Sequence, residues 1–324
     1  MDFREVHIIG LLLGLSLAFS GSAWAGVSRL LEKTFPCEIK ETPVMWLSTE
    51  LGDVRVETAD VDTVTVRARM DFVTPQADKA DALQRELRLV MEKRPEGVWV
   101  SAVSPRRFYW TFEAWPPLKL SFAILVPRQC ELNVVTREGS VQIGEMKGAC
   151  KISTETGWVF IQGIDGSLDV RSASGEMVVS HGRGDLKLRS RTGGFRVGPV
   201  QGNIEAYGGG GELTVGESAG RVVAETCGAD LNVVLPQNLP VSTSLVADGA
   251  DVTLQMPPQS SCTLDLRASL FGRVYYDSGR LPLVPRYGAS GASRVQATLH
   301  GGGALVAARA SGGHVFLQAI AAVP

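Results

Sequence analysis

The sequence has no excess of charge of one sign. Thirty-two lysine and arginine residues stand against 34 aspartate and glutamate residues in a chain of 324, which gives a formal net charge of −2. Proteins that bind nucleic acid by neutralising its phosphates usually carry a marked basic excess or a basic stripe. The composition therefore predicts a partner other than nucleic acid.

The sequence also lacks the closely spaced cysteine and histidine pairs that hold zinc. No CxxC occurs, and the four histidines are scattered along the chain. Structural zinc sites take their ligands from such pairs. We therefore predict no metal site, and no catalytic residue, cofactor-binding residue or cofactor is predicted either.

Only one long apolar run is present, from Ile8 to Phe19, and it is followed by the small-x-small sequence Ala23-Trp24-Ala25. A run of this length suits a secretory signal peptide better than a membrane span. We interpret residues 1–25 as a signal peptide cleaved near Ala25. The mature chain is then expected to have no transmembrane segment and to be periplasmic, secreted or on the cell surface.

What the sequence does contain is a regular spacing of glycine. Ten glycines follow one another at intervals of nine, at positions 139, 148, 157, 166, 175, 184, 193, 202, 211 and 220. The residues two and four places after each glycine are apolar, and the pattern extends one unit further at each end. Alternation with a period of two is typical of a β-strand. Each nine-residue unit therefore predicts one short strand and one turn.

Units two apart match better than neighbours, because polar turns such as STET and RSAS alternate with turns that carry Met146, Ile164 or Val200. The sequence thus predicts an all-β fold, a parallel β-solenoid of 18-residue coils with two strands each. Equivalent outward positions of successive coils alternate in charge on one sheet, at Lys151, Asp169, Lys187 and Glu205. The regular solenoid is assigned to residues 129–237, and 238–324 to an irregular continuation and cap.

The glycine spacing is compatible with three interpretations: a calcium-binding roll, a phosphate-binding loop, or tight corners of the chain. Calcium-binding nonapeptide rolls place aspartates in their turns, whereas the turns here hold a single aspartate, Asp165. The run from Gly208 to Gly211 lacks the lysine and the helix of a phosphate loop. We therefore expect the glycines to serve tight corners and the close stacking of coils.

The cysteines are five in number: Cys37, Cys130, Cys150, Cys227 and Cys262. An odd number leaves at least one thiol unpaired in an oxidising compartment. Cys150 falls at an inward position, so we predict a buried free thiol. Pairing among the other four stays open, and Cys130 with Cys37 is one possibility.

The region before the repeat, residues 26–128, is predicted to be a β-rich capping region. Residues 38–75 alternate in the manner of antiparallel strands. Residues 76–94 place Ala80, Leu83, Leu87 and Val90 on one stripe, which predicts a helix over 76–94.

Two sets of aromatic or apolar residues are candidates for an interaction surface. Trp158 and Phe160 face outward on one coil, and Val178 does so on the next. Five aromatic residues lie in a short segment before the repeat: Phe108, Tyr109, Trp110, Phe112 and Trp115. Each set has a structural alternative, because the first can be covered by a terminal region and the second can cap the open end of the solenoid.

Several segments resemble a bacterial family described as putative adhesins, a domain of unknown function with a β-solenoid fold. They are the stretch GSLDVRSASGEMVVSHGRGDLKLRSRTGG, the entry segment ILVPRQCELNVV, the later GADLNVVLP, and the closing GGGALVAARASGGHVFLQAI. The resemblance covers roughly residues 40–320. It implies the architecture and an adhesive role, and it supplies no catalytic residues.

Three functions were considered. The first is a non-enzymatic, exported cell-envelope protein for adhesion or for interaction with a protein or glycan. The second is a periplasmic scaffold or accessory protein of an envelope-stress or regulatory system. The third, an enzyme that acts on polysaccharide, is disfavoured because Asp165, Asp169, Asp185 and Glu205 are dispersed instead of being paired in one groove.

Overall fold

A computed structural model of the chain describes residues 26–37, 42–103 and 118–320. The strands before the glycine repeat are β1 (Val27–Pro36), β2 (Val44–Leu51), β3 (Asp53–Ala59), β4 (Thr63–Phe72), β5 (Arg88–Arg94), β6 (Gly97–Val103) and β7 (Leu118–Pro127). One helix, α1 (Ala77–Glu86), lies between β4 and β5.

The strands of the repeat are short. They are β8 (Glu131–Glu138), β9 (Val141–Lys147), β10 (Cys150–Thr156), β11 (Val159–Asp165), β12 (Leu168–Ser172), β13 (Met177–Arg183), β14 (Leu186–Ser190), β15 (Phe195–Val197), β16 (Val200–Gln201), β17 (Ile204–Gly208), β18 (Leu213–Val215), β19 (Val222–Cys227) and β20 (Leu231–Val234). The remaining strands are β21 (Thr243–Asp248), β22 (Val252–Met256), β23 (Cys262–Ser269), β24 (Val274–Tyr276), β25 (Leu283–Tyr287), β26 (Arg294–Leu299), β27 (Leu305–Ser311) and β28 (Val315–Ala319).

These strands form two long sheets, and successive strands of the repeat alternate between them. The first sheet has the order β1-β4-β7-β3-β9-β11-β13-β15-β18-β20-β22-β28-β24, with β16 beside β13. The second has the order β25-β26-β23-β27-β21-β19-β17-β14-β12-β10-β8-β2-β6-β5. Within the repeat, each strand pairs in parallel with the equivalent strand two units away, as in Ile161 with Val179 and Ile152 with Val170. The all-β prediction and the 18-residue pairing are confirmed.

The core lies between the two sheets and is built from the inward positions of the repeat. All twenty-four residues that lie two and four places after the glycine position, from Leu132 to Val233, are buried. On the outer face of the second sheet, Lys151, Asp169, Lys187 and Glu205 are direct neighbours, as predicted. The Lys187 ammonium lies 2.9 Å from the Glu205 carboxylate, although so exposed a pair contributes at most about 1 kcal/mol.

The glycines of the repeat occupy the corners, and two examples show why. Gly157 has a φ of 115°, and a Cβ at this residue would overlap the carbonyl oxygen of Gly139 in the preceding coil. Gly175 has a φ of 105°, and a Cβ there would overlap the Gly157 oxygen. A side chain is excluded both by the backbone conformation and by the close stacking of coils. The expected role in tight corners and close stacking is confirmed for these two glycines.

The parallel stacking begins earlier in the chain than the repeat does. Strands β2 and β3 were expected to be antiparallel, but β2 pairs in parallel with β8 and β3 pairs in parallel with β9. Gly52 between them has a φ of 114° and is followed by inward Val54 and Val56, which is the spacing of the repeat. Only β4 follows the antiparallel prediction, between β1 and β7.

The predicted helix over 76–94 is half wrong. The helix ends at Glu86, and residues 88–94 form β5, which pairs with β6 in an antiparallel hairpin. Leu87, Leu89 and Met91 also fit a period of two, so this sequence is compatible with both structures. Pro95 and Glu96 form the hairpin turn. Because β6 provides hydrogen-bond partners for the backbone of residues 88–94, these residues form a strand.

The continuation after residue 237 has an order that its sequence does not reveal. The chain first forms β21 and β22, and then β23 and β24 two strand positions further out. Strands β25 and β26 follow as an antiparallel extension of the second sheet. Finally β27 inserts between β21 and β23, and β28 inserts between β22 and β24. The last strand pair of the chain is therefore enclosed by earlier ones.

All five cysteines are free, and the predicted buried thiol at Cys150 is confirmed. Burial raises the pKa of the Cys130 and Cys150 thiols to about 12 and that of Cys262 to about 11. Burial also raises the pKa of Cys37, which is only partly covered. Cys227 is exposed.

We expect Cys227 to be the fast-reacting thiol of the native protein at pH 8, because it is exposed while burial raises the pKa of the other four thiols and so suppresses their reactive thiolate form. Alkylation followed by mass spectrometry should label Cys227 first, and five thiols should react after unfolding without reductant. Fewer than five would contradict the free state and identify a disulfide.

Since unfolded thiols ionise near pH 9 while the buried ones stay protonated, the free energy of unfolding should fall between about pH 9 and 12.

Candidate functional site

The outward-facing patch predicted from the repeat lies on the first sheet. Phe160 of β11 is the direct parallel neighbour of Val178 of β13, and both are partly exposed. Trp158 immediately precedes β11, and 48% of its surface is exposed. These three residues, named here the Trp158 patch, therefore form one apolar area on a regular sheet.

Polar residues border the Trp158 patch on both sides. Gln142 of β9 is the neighbour of Phe160 in the register, and Arg196 of β15 is the neighbour of Val178. The Arg196 guanidinium lies 3.6 Å from the carboxylate of Glu176. An apolar centre with a polar rim is the usual composition of a binding surface.

The second predicted set cannot be placed in the same way. Phe108, Tyr109, Trp110, Phe112 and Trp115 lie outside the described residues. Their role as an interaction surface or as a cap stays a prediction.

A groove that the sequence analysis missed has a volume of about 1040 Å³ and lies where β9, β11 and β13 end. Glu145 and His181 meet across it at 3.2 Å, from strands that are not adjacent. They meet because Gly163 lies between them in the register, and a Cβ at Gly163 would overlap both side chains. Gly163 falls outside the nine-residue spacing of the other glycines, and this extra glycine is the sequence feature that could have indicated the contact between Glu145 and His181.

The groove mixes positive and negative charges. Lys147, Asp165 and Arg183 line it beside the Glu145–His181 pair. About half of each side chain of that pair is exposed, so the surrounding water screens the interaction between them. In the described part of the chain, no group of three or more histidine, cysteine, aspartate or glutamate side chains is arranged to hold a metal ion.

Two further aromatic clusters also escaped sequence analysis. Trp46 and Trp99 stack on the outer face of the second sheet with ring centroids 5.1 Å apart, and the Arg94 guanidinium lies 4.4 Å from the Trp99 ring centroid. Tyr275 and Phe316 stack at the far end of the first sheet at 5.5 Å. Both pairs join strands that are distant in the sequence, so no local pattern predicts them.

Comparison with known proteins gives matches among solved structures. A structure from Parabacteroides merdae is 12% identical, covers 89% of this chain and 96% of its own, and has a TM-score of 0.46. One from Bacteroides fragilis is 12% identical, covers 90% and 97%, and has a TM-score of 0.37. Both are described as putative adhesins. A putative cell adhesion protein from Clostridium sporogenes is 9% identical, covers 90% and 100%, and has a TM-score of 0.22.

These similar structures carry the family description that the sequence resemblance gave. Because their identities and TM-scores are so low, they determine neither a ligand nor a site for this chain. No family model matches the sequence, and no curated protein matches it. Within residues 26–37, 42–103 and 118–320, no helix has the length and apolar character that a membrane crossing requires.

Proposed function

We propose that the chain is a non-enzymatic, exported cell-envelope protein that binds a protein or glycan through the Trp158 patch. Its two sheets are proposed to be the two faces of a β-solenoid, with a capping region before residue 129 and a closing region after residue 237. Two strands per 18-residue coil and a parallel register throughout the repeat support this architecture.

One observation carries the proposed binding role: Trp158 is exposed at a position where the fold does not require a tryptophan. The equivalent of Trp158 one coil earlier is Ser140, and the equivalent of Phe160 is Gln142. The repeat therefore folds with small or polar residues at these positions. Tryptophan is strongly enriched among residues that dominate binding energy, and its ring can stack on a sugar or on an apolar protein surface.

The rigid surroundings of the patch favour binding as well. Val159 and Ile161 on either side of Phe160 are buried, and β11 is paired on both edges. The exposed side chains are thereby presented on a fixed backbone, which lowers the entropy lost when a ligand binds.

Replacing Trp158 by serine and Phe160 by glutamine should weaken binding about tenfold or more, because exposed hot-spot aromatics commonly contribute about 2 kcal/mol. These substitutions copy the preceding coil and should leave the melting temperature nearly unchanged. Binding is measured on an array of glycans and on immobilised extracellular-matrix and envelope proteins.

The matched control is Val135→Ser on the second sheet. Val135 is as exposed as Trp158, and its neighbour one coil on is Ser153. The control should bind like the wild type. Absence of any ligand for the wild type, or equal binding by the W158S/F160Q variant, would overturn the proposed role of the patch.

A further inference from the structure

The turn between β23 and β24 exposes two large apolar side chains at its tip. Leu270 is 70% exposed and Phe271 is 100% exposed, the latter being the highest value among the exposed large hydrophobic residues of the described chain. No other pair of adjacent residues in that set is as exposed. Isolated apolar residues on a surface need no explanation, but two at the tip of one turn do.

The backbone of this turn is unfavourable for the residues it carries. Leu270 has a φ of 51° and Phe271 a φ of 71°, and among the described non-glycine residues only His300 shares a positive φ. Turns with two such positions normally use asparagine and glycine. Leucine and phenylalanine are therefore poor choices for folding alone, and strained residues of this kind concentrate at functional sites.

The base of the turn is firmly held. The amide of Gly272 donates to the Ser269 oxygen at 3.1 Å, and the amide of Gly312 donates to the same oxygen at 3.2 Å. Gly272 packs so closely against Gly313 that a Cβ would overlap its oxygen. The two apolar side chains thus project from a rigid corner between the two sheets.

Arginines flank the turn on the side of the second sheet. Arg267 lies three residues before Leu270, and its register neighbours on β26 and β27 are Arg294 and Arg309. Asp265 is the carboxylate that Arg267 and Arg294 share, at 2.6 and 3.4 Å. Arg309 and Arg273, which follows Gly272, are both exposed.

Aromatic side chains flank the turn on the side of the first sheet. Tyr275, His314 and Phe316 form one cluster with ring centroids 5.5 to 5.8 Å apart. The backbone amide of Arg273 donates to Nδ1 of His314 at 3.2 Å, which ties the cluster to the turn. The carboxylate of Asp251 accepts a hydrogen bond from the backbone amide of His314 at 2.7 Å.

We propose that this turn binds the surface of an anionic lipid bilayer. Leu270 and Phe271 enter the boundary between headgroups and acyl chains, the neighbouring arginines face lipid phosphates, and Tyr275 lies at the level of the headgroups. A convex tip without an apolar rim suits a fluid lipid surface, whereas a protein interface is usually a broad patch with a buried centre. The arginines Arg267, Arg273, Arg294 and Arg309 outnumber the carboxylates Asp248, Asp251 and Asp265 around the tip, and this excess supplies the charge complementarity.

The test is binding to vesicles of phosphatidylethanolamine and phosphatidylglycerol, with vesicles of phosphatidylcholine for comparison. In the L270N/F271G variant the partition coefficient on the anionic vesicles should fall at least fivefold. The same variant should melt at an equal or higher temperature, because asparagine and glycine suit the turn. A loss of binding would then not reflect a loss of folding.

The control variant Leu30→Asn removes an apolar side chain that is 61% exposed on β1, at the opposite end of the first sheet. It should bind vesicles like the wild type. Hydrogen exchange adds a local measurement, and the amides of residues 269–273 should exchange at least threefold more slowly when vesicles are present. This readout is independent of any membrane affinity of residues 8–19.

Equal partitioning of L270N/F271G and wild type, or unchanged exchange at 269–273, would overturn the proposal. So would a wild-type dimer that the L270N/F271G substitutions dissociate in sedimentation, because the tip would then be occupied by a second copy. The Trp158 patch is unaltered in this variant, so its ligand should still bind with wild-type affinity. The two proposals therefore fail independently.

Discussion

Replacing Gly175 by alanine should lower the free energy of unfolding by about 2–5 kcal/mol. Two costs combine, since a non-glycine residue at this positive φ costs about 1–2 kcal/mol and forced overlap in a packed region costs about 1–3 kcal/mol. The φ of Gly175 is 105°, and the added methyl group would overlap the oxygen of Gly157. Urea unfolding followed by circular dichroism measures the change.

Two other glycines separate these costs. Gly228 has a φ of 80°, and no atom lies within 4 Å of the place that a Cβ would take, so its replacement by alanine should cost only about 1–2 kcal/mol. At Gly210 the nearest atom to an added Cβ is 3.5 Å away and the φ is not positive, so alanine should be nearly neutral. Equal unfolding midpoints for the Gly175 and Gly210 variants would show that the corner stacking is not required.

A chain that stops after Gly303 should lose the folded structure of its last third. The truncation removes β27 and β28, which lie between β21 and β23 and between β22 and β24. Strand β24 would lose its sole described partner, and buried residues such as Val306 and Val315 would be missing from the core. Limited proteolysis with mass spectrometry should find cleavage within 243–299 accelerated on the order of 100-fold.

The repeat itself should survive this truncation, because each coil of a repeat protein depends chiefly on its neighbours. Residues 131–234 are therefore expected to keep their protease resistance. The matched control ends at Ile320 and retains every described strand, so it should behave like the full chain. If residues 243–276 stay resistant after truncation at Gly303, the enclosed position of β27 and β28 is wrong.

The fold could be predicted from the sequence wherever neighbours in space are also a fixed distance apart in the chain. The contact between Gly157 and Gly175 is predictable because the two residues are two nine-residue units apart. The inward positions from Leu132 to Val233 follow from the same nine-residue spacing. The first coil carries the same signal at Gly52, Val54 and Val56, but a long stretch of chain separates it from its stacking partner at Gly139.

Where pairing is not periodic, local sequence is insufficient. Leu87, Leu89 and Met91 suit a strand, whereas Leu87 and Val90 extend the helical stripe, and only the hairpin with β6 decides between the two structures. Similarly, nothing within β27 or β28 indicates that they lie inside β23 and β24 instead of beyond them. Such choices depend on the stability of the complete set of pairings.

The candidate surfaces divide in the same way. Trp158 and Phe160 stand out because the repeat defines which positions face outward and what usually occupies them. Leu270 and Phe271 lie beyond the periodic region, where their exposure and backbone conformation are visible only in three dimensions. Without a periodic pattern that marks the outward positions, the sequence gives no reason to distinguish Leu270 and Phe271 from core residues.

The stacked corner glycines also constrain how the length of such a chain can vary over generations. Most corner glycines fit against a glycine 18 residues earlier, as Gly157 fits against Gly139 and Gly175 against Gly157, and Gly148 fits against Cys130. An inserted or deleted segment that is not a whole coil would bring a side chain against a backbone oxygen at the junction. Duplication or loss of one complete coil restores the contact at once. Genes for this architecture should therefore lengthen and shorten in steps of 54 nucleotides (three per residue of an 18-residue coil).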